Sequence, residues 1–407
     1  MGNIEKRYEM AREYYAEYGI DTDKVLDTMS KVPISVHCWQ IDDLTGFEDF
    51  EAKLTGGIAA TGNMGGKPKS QDEYFEQLDK ALKMIPGPLR VATHAVYLDN
   101  KGADIDRDQI EPKHFDRWID FAKKRDLGLD FNPTYFSHTK SEDGFTLSSA
   151  DESIRQFWVE HGKRSRKIGE FFGKEMGTPC ITNHWIPDGY KDIPADKLSP
   201  RLRLKKSLDE IFAEEISAEY NVDSLESKLF GLGSESYVTG SHEFYTNYCT
   251  DTKKAILCMD AGHFHPTESV AAKISAYLTF GQELMLHVSR PVRWDSDHVV
   301  ILDEETMSIM EEIVRCDALD KVHIGLDFFD ARIIRIKATA IGGRSAKTAL
   351  LKAMLQPMNA LREAELAGDY TKRLALLEET KMLPYGIVWE MFCERNNCPS
   401  VKWYDEG

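Results

Sequence analysis

The segments KAILCMDAGH (Lys254–His263), ELMLHVSRP (Glu283–Pro291) and KVHIGLDFFD (Lys321–Asp330) decide the fold of this chain. In each of them a short, largely apolar run ends in polar or aromatic residues. Near-continuous apolar runs of this length are typical of parallel β-strands that are buried on both faces. The three segments therefore predict neighbouring parallel strands, each followed by a loop and a helix.

The same unit recurs outward from these segments, and eight strand-like runs can be counted along the chain. Apolar residues at helical spacing lie between the runs, notably in Ser70–Ile85, Asp151–Gly173 and Asp303–Cys316. Eight strands that alternate with helices predict an α/β chain of the (β/α)8 TIM-barrel class. A doubly wound open sheet is the alternative, but no GxGxxG motif follows a strand. The five other runs are VPISVHCWQ (Val32–Gln40), LRVATHAVYL (Leu89–Leu98), LGLDFNPTY (Leu127–Tyr135), PCITNHWIP (Pro179–Pro187) and SLESKLFGLG (Ser224–Gly233).

Two segments lie outside the repeated unit. We predict an extra helix in residues 1–30, the barrel in residues 31–340, and a helical arm for oligomer contacts in residues 341–407. The arm is predicted to contain helices over Ser345–Gly368 and Tyr370–Leu383. The Gly-rich loop Leu54–Ser70 is either a mobile lid over the barrel mouth or an ordinary surface loop.

Composition limits the classes of function. The formal net charge of the 407-residue chain is −17, which repels phosphate backbones and anionic membrane surfaces. We therefore expect neither nucleic-acid nor membrane binding. Its seven cysteines are widely spaced and form no CxxC pair, so neither a disulfide framework nor a zinc ribbon is predicted. No apolar run approaches the roughly 18 residues of a membrane span, and we expect a reduced, cytoplasmic enzyme.

Acidic and imidazole side chains stand where the last four predicted strands end, and catalytic groups of TIM barrels lie at these carboxyl ends. A lone Asp there often caps a helix, and a lone His is usually a satisfied polar residue. Many carboxylates at one mouth, however, repel each other strongly unless cations neutralise them. Oxygen-rich sites with some imidazole suit Mn²⁺, Mg²⁺ or Co²⁺, and Zn²⁺ is also possible, whereas no thiolate is in the set. The residues are Glu226, Asp260, His263, His287, Asp295, Asp297 and Asp327.

Seven ligands exceed the needs of one ion, so we predict two divalent cations joined by a bridging carboxylate. Lys228 follows Glu226 at a spacing of two, which predicts that both side chains point into the barrel from one strand face. His94 and the pair His184 and Trp185 stand near the ends of strands 2 and 4.

Several long strings of this chain are distinctive, and they include GGIAATGN (Gly56–Asn63), DFNPTYFSH (Asp130–His138), ESKLFG (Glu226–Gly231), DAGHFHPTE (Asp260–Glu268), LHVSRPVRWDSDHVV (Leu286–Val300), HIGLDFFD (His323–Asp330) and GDYTKRLALLEE (Gly368–Glu379). Through these strings the chain resembles the L-rhamnose isomerase family over essentially its whole length. The resemblance implies a TIM barrel related to the xylose isomerases, a cytoplasmic homotetramer and the use of Mn²⁺.

The same resemblance divides the ligands between the ions. It implies that Glu226, Asp260, His287 and Asp327 surround a structural ion. It implies that His263, Asp295 and Asp297 surround a catalytic ion, with Asp260 as the bridge.

The implied reaction is the interconversion of L-rhamnose and L-rhamnulose. We predict a metal-assisted 1,2-hydride shift, because polarisation of the C1 carbonyl by two ions is its requirement. An enediol route with a carboxylate base is the alternative. The predicted catalytic residues are Lys228 for charge on O1, His94 for ring opening and Asp295 for proton transfer between O1 and O2. Substrate-binding residues are predicted at Trp185, Trp39, Phe131 and Asp330, although core packing explains the aromatic residues equally well.

Three other functions stay open at this point. A related isomerase would prefer another aldose, such as L-mannose or D-allose. A metal-dependent phosphodiesterase would share the barrel, but the net charge argues against it. A non-catalytic sugar- or metal-binding protein would not need Lys228 beside the cluster.

Overall fold

Eight parallel strands close into a barrel in the computed structural model, which describes residues 3–48, 62, 64–229 and 236–405. Going round the barrel, the strands follow the order β1, β2, β3, β4, β6, β8, β9, β10. Seven of the eight predicted runs contain one of these strands, and the run Ser224–Gly233 overlaps only the last three residues of β6, which starts at Asn221. The predicted TIM barrel is confirmed. The barrel strands are β1 (Ile34–His37), β2 (Leu89–His94), β3 (Gly128–Asn132), β4 (Cys180–Trp185), β6 (Asn221–Glu226), β8 (Ile256–Asp260), β9 (Leu284–Val288) and β10 (Val322–Leu326); β5 (Gly189–Tyr190) and β7 (Tyr237–Val238) pair antiparallel beside it.

Helices cover the outside of the barrel. The three predicted helices are confirmed as α3, α5 and α9, and each starts after a capping side chain that accepts main-chain N–H bonds, namely Ser70, Asp151 and Asp303. The α-helices in the described residues are α1 (Asn3–Glu17), α2 (Thr22–Met29), α3 (Gln71–Lys83), α4 (Asp116–Lys123), α5 (Glu152–Met176), α6 (Leu198–Ile211), α7 (His242–Thr252), α8 (Ala271–Leu278), α9 (Glu304–Arg315), α10 (Arg335–Met354), α11 (Met358–Leu366), α12 (Tyr370–Thr380) and α13 (Tyr385–Arg395).

The terminal segments differ from the prediction. The first 30 residues form two helices, because Gly19 turns the chain at φ +72° and Asp21 then caps α2. The prediction of continuous helix over Ser345–Gly368 is wrong. Helix α10 ends at Met354 and α11 begins at Met358, because Pro357 interrupts the helical hydrogen bonds. Helix α10 runs across residue 341 and packs on α9 and α3 as the last helix of the barrel.

Two details bear on the site. Strand β6 starts at Asn221 and ends at Glu226, so Lys228 follows the strand and does not share a strand face with Glu226 as predicted. Its N–H instead donates to the carbonyl of Gly240 at 3.3 Å. Most of the predicted lid, Leu54–Ser70, lies outside the described residues. Within the described ranges, no helix combines the length and apolar character that a membrane span requires.

Side chains alternate across the strands and thereby sort the predicted site residues. Alternate residues of β8, Cys258 and Asp260, point into the barrel with Glu226 and His287, their register neighbours on β6 and β9. Phe131 is buried on the outer face of β3, which faces the helices, and it packs edge-on against Phe172 of α5. The barrel mouth therefore collects the inward residues at the ends of the strands.

Candidate metal centre and active site

A cavity of about 480 Å³ lies at the carboxyl ends of the barrel strands. Of the thirteen side chains predicted to form the site, twelve border it. The remaining one, Asp260, is fully buried in the barrel wall and contacts residues that line the cavity. The acidic and imidazole residues that the strand-end argument predicts at one mouth therefore lie together in the structure.

The first of two ligand groups comprises Glu226, Asp260, His287 and Asp327, each of which offers one ligand atom within 4.8 Å of the others. His287 Nδ1 is at its centre. This nitrogen lies 3.2 Å from Glu226 Oε2, 3.8 Å from Asp260 Oδ2 and 3.7 Å from Asp327 Oδ2. The four residues come from four consecutive barrel strands or their ends, and they are the set predicted for one ion.

The second group comprises Asp260, His263 and Asp295, again with ligand atoms within 4.8 Å of one another. Asp260 therefore belongs to both groups. Gly262 permits this approach, because a Cβ at that position would lie 2.6 Å from Asp295 Oδ1. Asp297, predicted as a further ligand, lies beside Asp295 but is not one of the three residues that converge here.

Lys228 supplies positive charge next to the second group. Its Nζ lies 2.5 Å from Asp295 Oδ2 and 3.3 Å from His263 Nε2. The ammonium also lies 5.0 Å from the ring centre of Trp185, within range of a cation–π contact. Burial lowers the pKa of Lys228, but Asp295 and Asp297 outweigh it and raise the pKa above its usual value. Lys228 is therefore a charged, hydrogen-bonding group at the cavity wall.

The clustered carboxylates perturb each other. Burial, followed by the charges of Asp327 and Glu226, raises the pKa of Asp260 well above its usual range. Burial likewise raises the pKa of Asp327 to about 6, and burial with Asp295 raises that of Asp297. Burial also acts to raise the pKa of Glu226, but His287 and His263 outweigh it and lower that pKa to about 2. Without added positive charge, the site resists full ionisation.

Several buried ligand atoms have no hydrogen-bond partner among the described residues, and they mark where a cation could bind. Asp260 Oδ1 accepts hydrogen bonds from the N–H of Gly262 at 2.6 Å and from Ser289 Oγ at 3.1 Å. Its Oδ2 is buried without a hydrogen-bond partner among the described residues, as are Asp295 Oδ1 and His287 Nδ1. Buried polar atoms without partners cost about 1–3 kcal/mol each, so groups of carboxylate oxygen and imidazole nitrogen fit divalent cations of the Mn²⁺ class.

Sequence reasoning missed the neutral residues that hold these ligands. Asn183 Nδ2 donates to Glu226 Oε2 at 2.6 Å, and Ser224 Oγ donates to Asn183 Oδ1 at 2.7 Å. Trp39, predicted as a substrate wall, donates from Nε1 to Asp327 Oδ1 at 2.7 Å. The signal for Asn183 was its position two residues before Trp185 on the inward face of β4. An amide carries no charge, so a search for acidic and imidazole groups passes over it.

A thiol also lies next to the first ligand group, although the set predicted from the sequence contains only carboxylates and imidazoles. Cys258 Sγ, Glu226 and His287 form a third group with ligand atoms within 4.8 Å. Burial raises the pKa of the Cys258 thiol to about 12.

The aromatic walls differ from the predicted ones. Trp185 packs edge-on against Phe136, with ring centres 5.1 Å apart, and Trp39 stacks on Phe329 at 5.7 Å. Phe136 and Phe329 both border the cavity and were not predicted. Phe131 borders it too, but its ring packs towards the helices.

The other predicted polar residues separate into two kinds. His94 borders the cavity, and burial together with His287 lowers its pKa to about 3, so the imidazole is neutral near pH 7. His94 Nδ1 lies 3.2 Å from Thr134 Oγ1. His184 points away from the cavity and contacts Asp223 at 3.1 Å. The Asp330 carboxylate lies at the rim, where it accepts the N–H of Arg332 at 2.7 Å.

Comparison with known proteins decides what this mouth belongs to. Residues 2–406 match the family model of L-rhamnose isomerase (RhaA). The chain is 54% identical to the L-rhamnose isomerase of Escherichia coli strain SMS-3-5 / SECEC, covering 99% of this chain and 98% of that protein. It is also 54% identical to that of strain HS, covering 98% of this chain and 94% of the relative. This chain belongs to the L-rhamnose isomerase family.

Solved structures add little to this. A D-allulose 3-epimerase from Methylomonas sp. matches with a TM-score of 0.48 and 11% identity, covering 80% of this chain and 98% of the other. A likeness of that size bears on neither activity nor substrate. For this member of the L-rhamnose isomerase family, the match over essentially the full length leaves no observation that favours a phosphodiesterase.

Proposed function

We propose that this member of the L-rhamnose isomerase family interconverts L-rhamnose and L-rhamnulose with two divalent cations per subunit. The observation that carries the proposal is the pair of ligand groups that share Asp260 at the wall of one cavity. The cavity volume of about 480 Å³ suits a single small sugar. The full-length identity to curated L-rhamnose isomerases supports the choice of substrate.

The two groups divide the cation ligands. Glu226, Asp260, His287 and Asp327 would hold a structural ion, and Asp260, His263 and Asp295 would hold a catalytic one, with Asp297 close to it. Mn²⁺ is the proposed ion, with Co²⁺, Zn²⁺ and Mg²⁺ as competitors, because the donors are mainly carboxylate oxygens. When bound, such ions polarise the C1 carbonyl and stabilise negative charge on the sugar oxygens, which is what a 1,2-hydride shift requires.

Lys228 is the residue to which we assign the charge that develops on O1. Its ammonium faces the cavity between Asp295 and the Trp185 ring, so a hydrogen bond to a substrate oxygen adds to contacts that already orient it. The same contacts would make it a structural ion pair if no sugar oxygen reached it. Asp295 is assigned to carry the proton between O1 and O2, because one of its oxygens contacts Lys228 and the other has no hydrogen-bond partner among the described residues.

His94 is assigned to ring opening. Its imidazole borders the cavity with Nδ1 3.2 Å from Thr134 Oγ1, in a position to contact a sugar hydroxyl. Trp185 and Phe136 form an apolar wall suited to the methyl group of a 6-deoxy sugar. Trp39 closes the other side while it holds Asp327, and Asp330 lies at the rim for a hydroxyl contact.

The arm is proposed to join subunits of a cytoplasmic homotetramer. Helix α12 buries none of its residues within the chain, and Tyr370 and Leu374 of this helix are exposed, as are the nearby Leu366 and Met382. Apolar side chains in such an arrangement are typical of a surface that a neighbouring subunit covers. The mass in solution, from light scattering during gel filtration, tests the tetramer; a monomeric mass contradicts it.

The decisive experiment uses protein stripped with a chelator. We expect ketose from L-rhamnose after Mn²⁺ is added back, at a higher kcat/KM than from L-mannose or D-allose. Co²⁺, Mg²⁺ and Zn²⁺ are added separately to rank the ions. A higher kcat/KM for L-mannose or D-allose would reassign the substrate, and absence of ketose from all three sugars with all four ions would exclude the proposed reaction.

The same assay in deuterium oxide separates the two routes. A hydride shift transfers hydrogen from C2 to C1 without exchange, so the ketose carries no solvent deuterium at C1. Deuterium at C1 in each turnover would establish the enediol route.

Lys228→Met tests the role that we assign to this lysine. The variant should keep cation binding and lose most of kcat, whereas full activity would favour a structural ion pair.

A further inference from the structure

Cys258 lies where a cation ligand could stand, although the proposed reaction does not use it. It precedes Asp260 by two residues on β8, and it pairs in register with Glu226 on β6 and Met285 on β9. Its Sγ and one ligand atom each from Glu226 and His287 all lie within 4.8 Å of one another. The cysteine is fully buried.

The surroundings of Cys258 are apolar on one side and polar on the other. Its apolar neighbours are Ile181 and Met285, with Val222 and Ile256 partly buried against them. On the polar side the thiol interacts with His287, whose Nδ1 is buried without a hydrogen-bond partner among the described residues and lies 3.2 Å from Glu226 Oε2. His287 belongs both to the oxygen-rich group and to the group with Cys258.

We propose that Glu226, Cys258 and His287 form an alternative site for a thiophilic divalent cation such as Zn²⁺ or Cd²⁺, on the inner side of the Glu226–Asp260–His287–Asp327 group. The inference rests on the proposed function in one respect, since the two sites share Glu226 and His287. A single ion therefore occupies one or the other. Hard ions such as Mn²⁺ and Mg²⁺ take the oxygen-rich group, and thiophilic ions take the group with sulfur.

Zinc chemistry matches the three donors. Zinc binds sulfur at about 2.3 Å and nitrogen and oxygen at about 2.0–2.2 Å, so the three ligand atoms, which lie within 4.8 Å of one another, would move closer together around the ion. Binding converts the Cys258 thiol to a thiolate, and the proton leaves to solvent. The ion then no longer contacts Asp327 and Asp260, so their charges stay unbalanced. Thiophilic cations are accordingly expected to compete with Mn²⁺ and to lower turnover.

Co²⁺ is the probe, because thiolate ligation gives a sulfur-to-cobalt charge-transfer band in the near ultraviolet. We expect this band when Co²⁺ is added to the chelated full-length protein, and we expect Cys258→Ser to lose it. Cys249→Ser is the matched control, since Cys249 is also fully buried but lies on α7 outside the site, and it should keep the band. Zn²⁺ affinity of Cys258→Ser should fall roughly tenfold or more, while Mn²⁺ affinity changes far less.

Two further measurements keep the test decisive if Cys258→Ser folds poorly. Cys258→Ala removes the ligand without introducing a hydroxyl, and its thermal unfolding reports whether the barrel is intact. Cd²⁺ added to the wild-type protein should give a cadmium–thiolate band and release a proton that direct titration detects. Absence of a thiolate band with both Co²⁺ and Cd²⁺ overturns the inference, as does a band that persists in Cys258→Ala. Ketose formation by the Mn²⁺-loaded wild type is a separate readout, so the isomerase proposal can survive that result.

Discussion

Two buried aspartates of the same barrel, Asp130 and Asp260, show opposite electrostatics. Asp130 is held by Arg90 at 2.8 Å, and it also accepts hydrogen bonds from Ser35 Oγ and from the N–H of Ile181. Burial raises its pKa, but Arg90 outweighs it and the net pKa is lowered. Asp260 is equally buried and faces other carboxylates, so its pKa is raised. A buried carboxylate that is paired with an arginine is already neutralised within the protein, whereas one that faces other carboxylates suits a bound cation.

The same contrast separates whole regions. On the helix side of β6, Asp223 pairs with Arg166 at 2.8 Å and contacts His184 at 3.1 Å. At the mouth, five carboxylates gather, and Lys228 forms an ion pair with one of them, Asp295; the five are Glu226, Asp260, Asp295, Asp297 and Asp327. The first region stabilises the barrel by itself, whereas the second has a ligand set that could hold cations.

The largest expected effect is that of Asp260→Asn on activity. The substitution removes the carboxylate shared by both ligand groups and leaves a neutral side chain of nearly the same shape. Because transition-state stabilisation by both ions depends on this residue, we expect kcat/KM for the Mn²⁺-loaded enzyme to fall about a thousandfold or more. Metal analysis should find fewer than two ions per subunit. Two retained ions with near-normal kcat/KM would show that Asp260 is not the bridge.

The corresponding change at the arginine-paired aspartate, Asp130→Asn, should act on stability. It leaves the Arg90 guanidinium buried without its counter-charge, which costs about 3–5 kcal/mol. In chelated protein, Asp260→Asn should instead be neutral or stabilising, since it removes a carboxylate that other carboxylates repel. Urea unfolding of both variants without metal measures the difference. Equal losses of unfolding free energy in the two variants would contradict the distinction between the regions.

A third effect is the pH dependence of the chelated protein. The pKa of Asp327 is raised from 3.8 to about 6, so the folded state holds a proton that the unfolded state releases. Its contribution to stability is present below about pH 4 and is lost as pH rises to about 6, on the order of 1–3 kcal/mol. The raised pKa values of Asp260 and Asp297 act in the same direction. The contribution of Asp130 to stability has the opposite pH dependence. Because its pKa is lowered in the folded state, this contribution is lost only as pH falls.

Thermal unfolding between pH 4 and pH 8, with chelator and with saturating Mn²⁺, measures this effect. The melting temperature of the chelated protein should drop as pH rises, and the gap to the Mn²⁺-loaded protein should widen. A constant gap across this range would mean that the mouth carboxylates do not titrate as described.

The contrast between the regions also explains what the sequence could reveal. The eight strands were predictable because a strand buried on both faces leaves a continuous apolar run, as in Lys254–His263. The ligands Glu226, Asp260, His287 and Asp327 were predictable because charged groups at strand ends share one mouth. Helix ends in the arm were not, since propensity alone continued the helix through Pro357.

Neutral and apolar partners were harder to predict, because their roles depend on contacts across strands. Asn183 and Ser224 meet only through the β4–β6 register. Cys258 reads as a core residue along the chain, and the barrel alone brings it to Glu226 and His287. The outward ring of Phe131 required the strand register, which an apolar run with no alternation does not reveal.

The smallest expected effect comes from Asn183→Ala, which weakens the support of one ligand without removing it. Asn183 fixes Glu226 Oε2 at 2.6 Å and is itself fixed by Ser224, so its loss lets the carboxylate rotate away from the cation. Residues that orient a ligand typically change metal affinity about 10–100-fold, and we expect the Mn²⁺ affinity of Asn183→Ala to fall at the lower end of this range. With saturating Mn²⁺, kcat should stay within a fewfold of wild type, because the ligands themselves are intact. Competition with a fluorescent chelator measures the affinity.

Ser224→Ala is the matched control for this prediction. It keeps the Asn183 amide and removes only the hydroxyl that orients it, so its loss of Mn²⁺ affinity should be smaller than that of Asn183→Ala. A larger loss in Ser224→Ala would show that Asn183 does not act through Glu226.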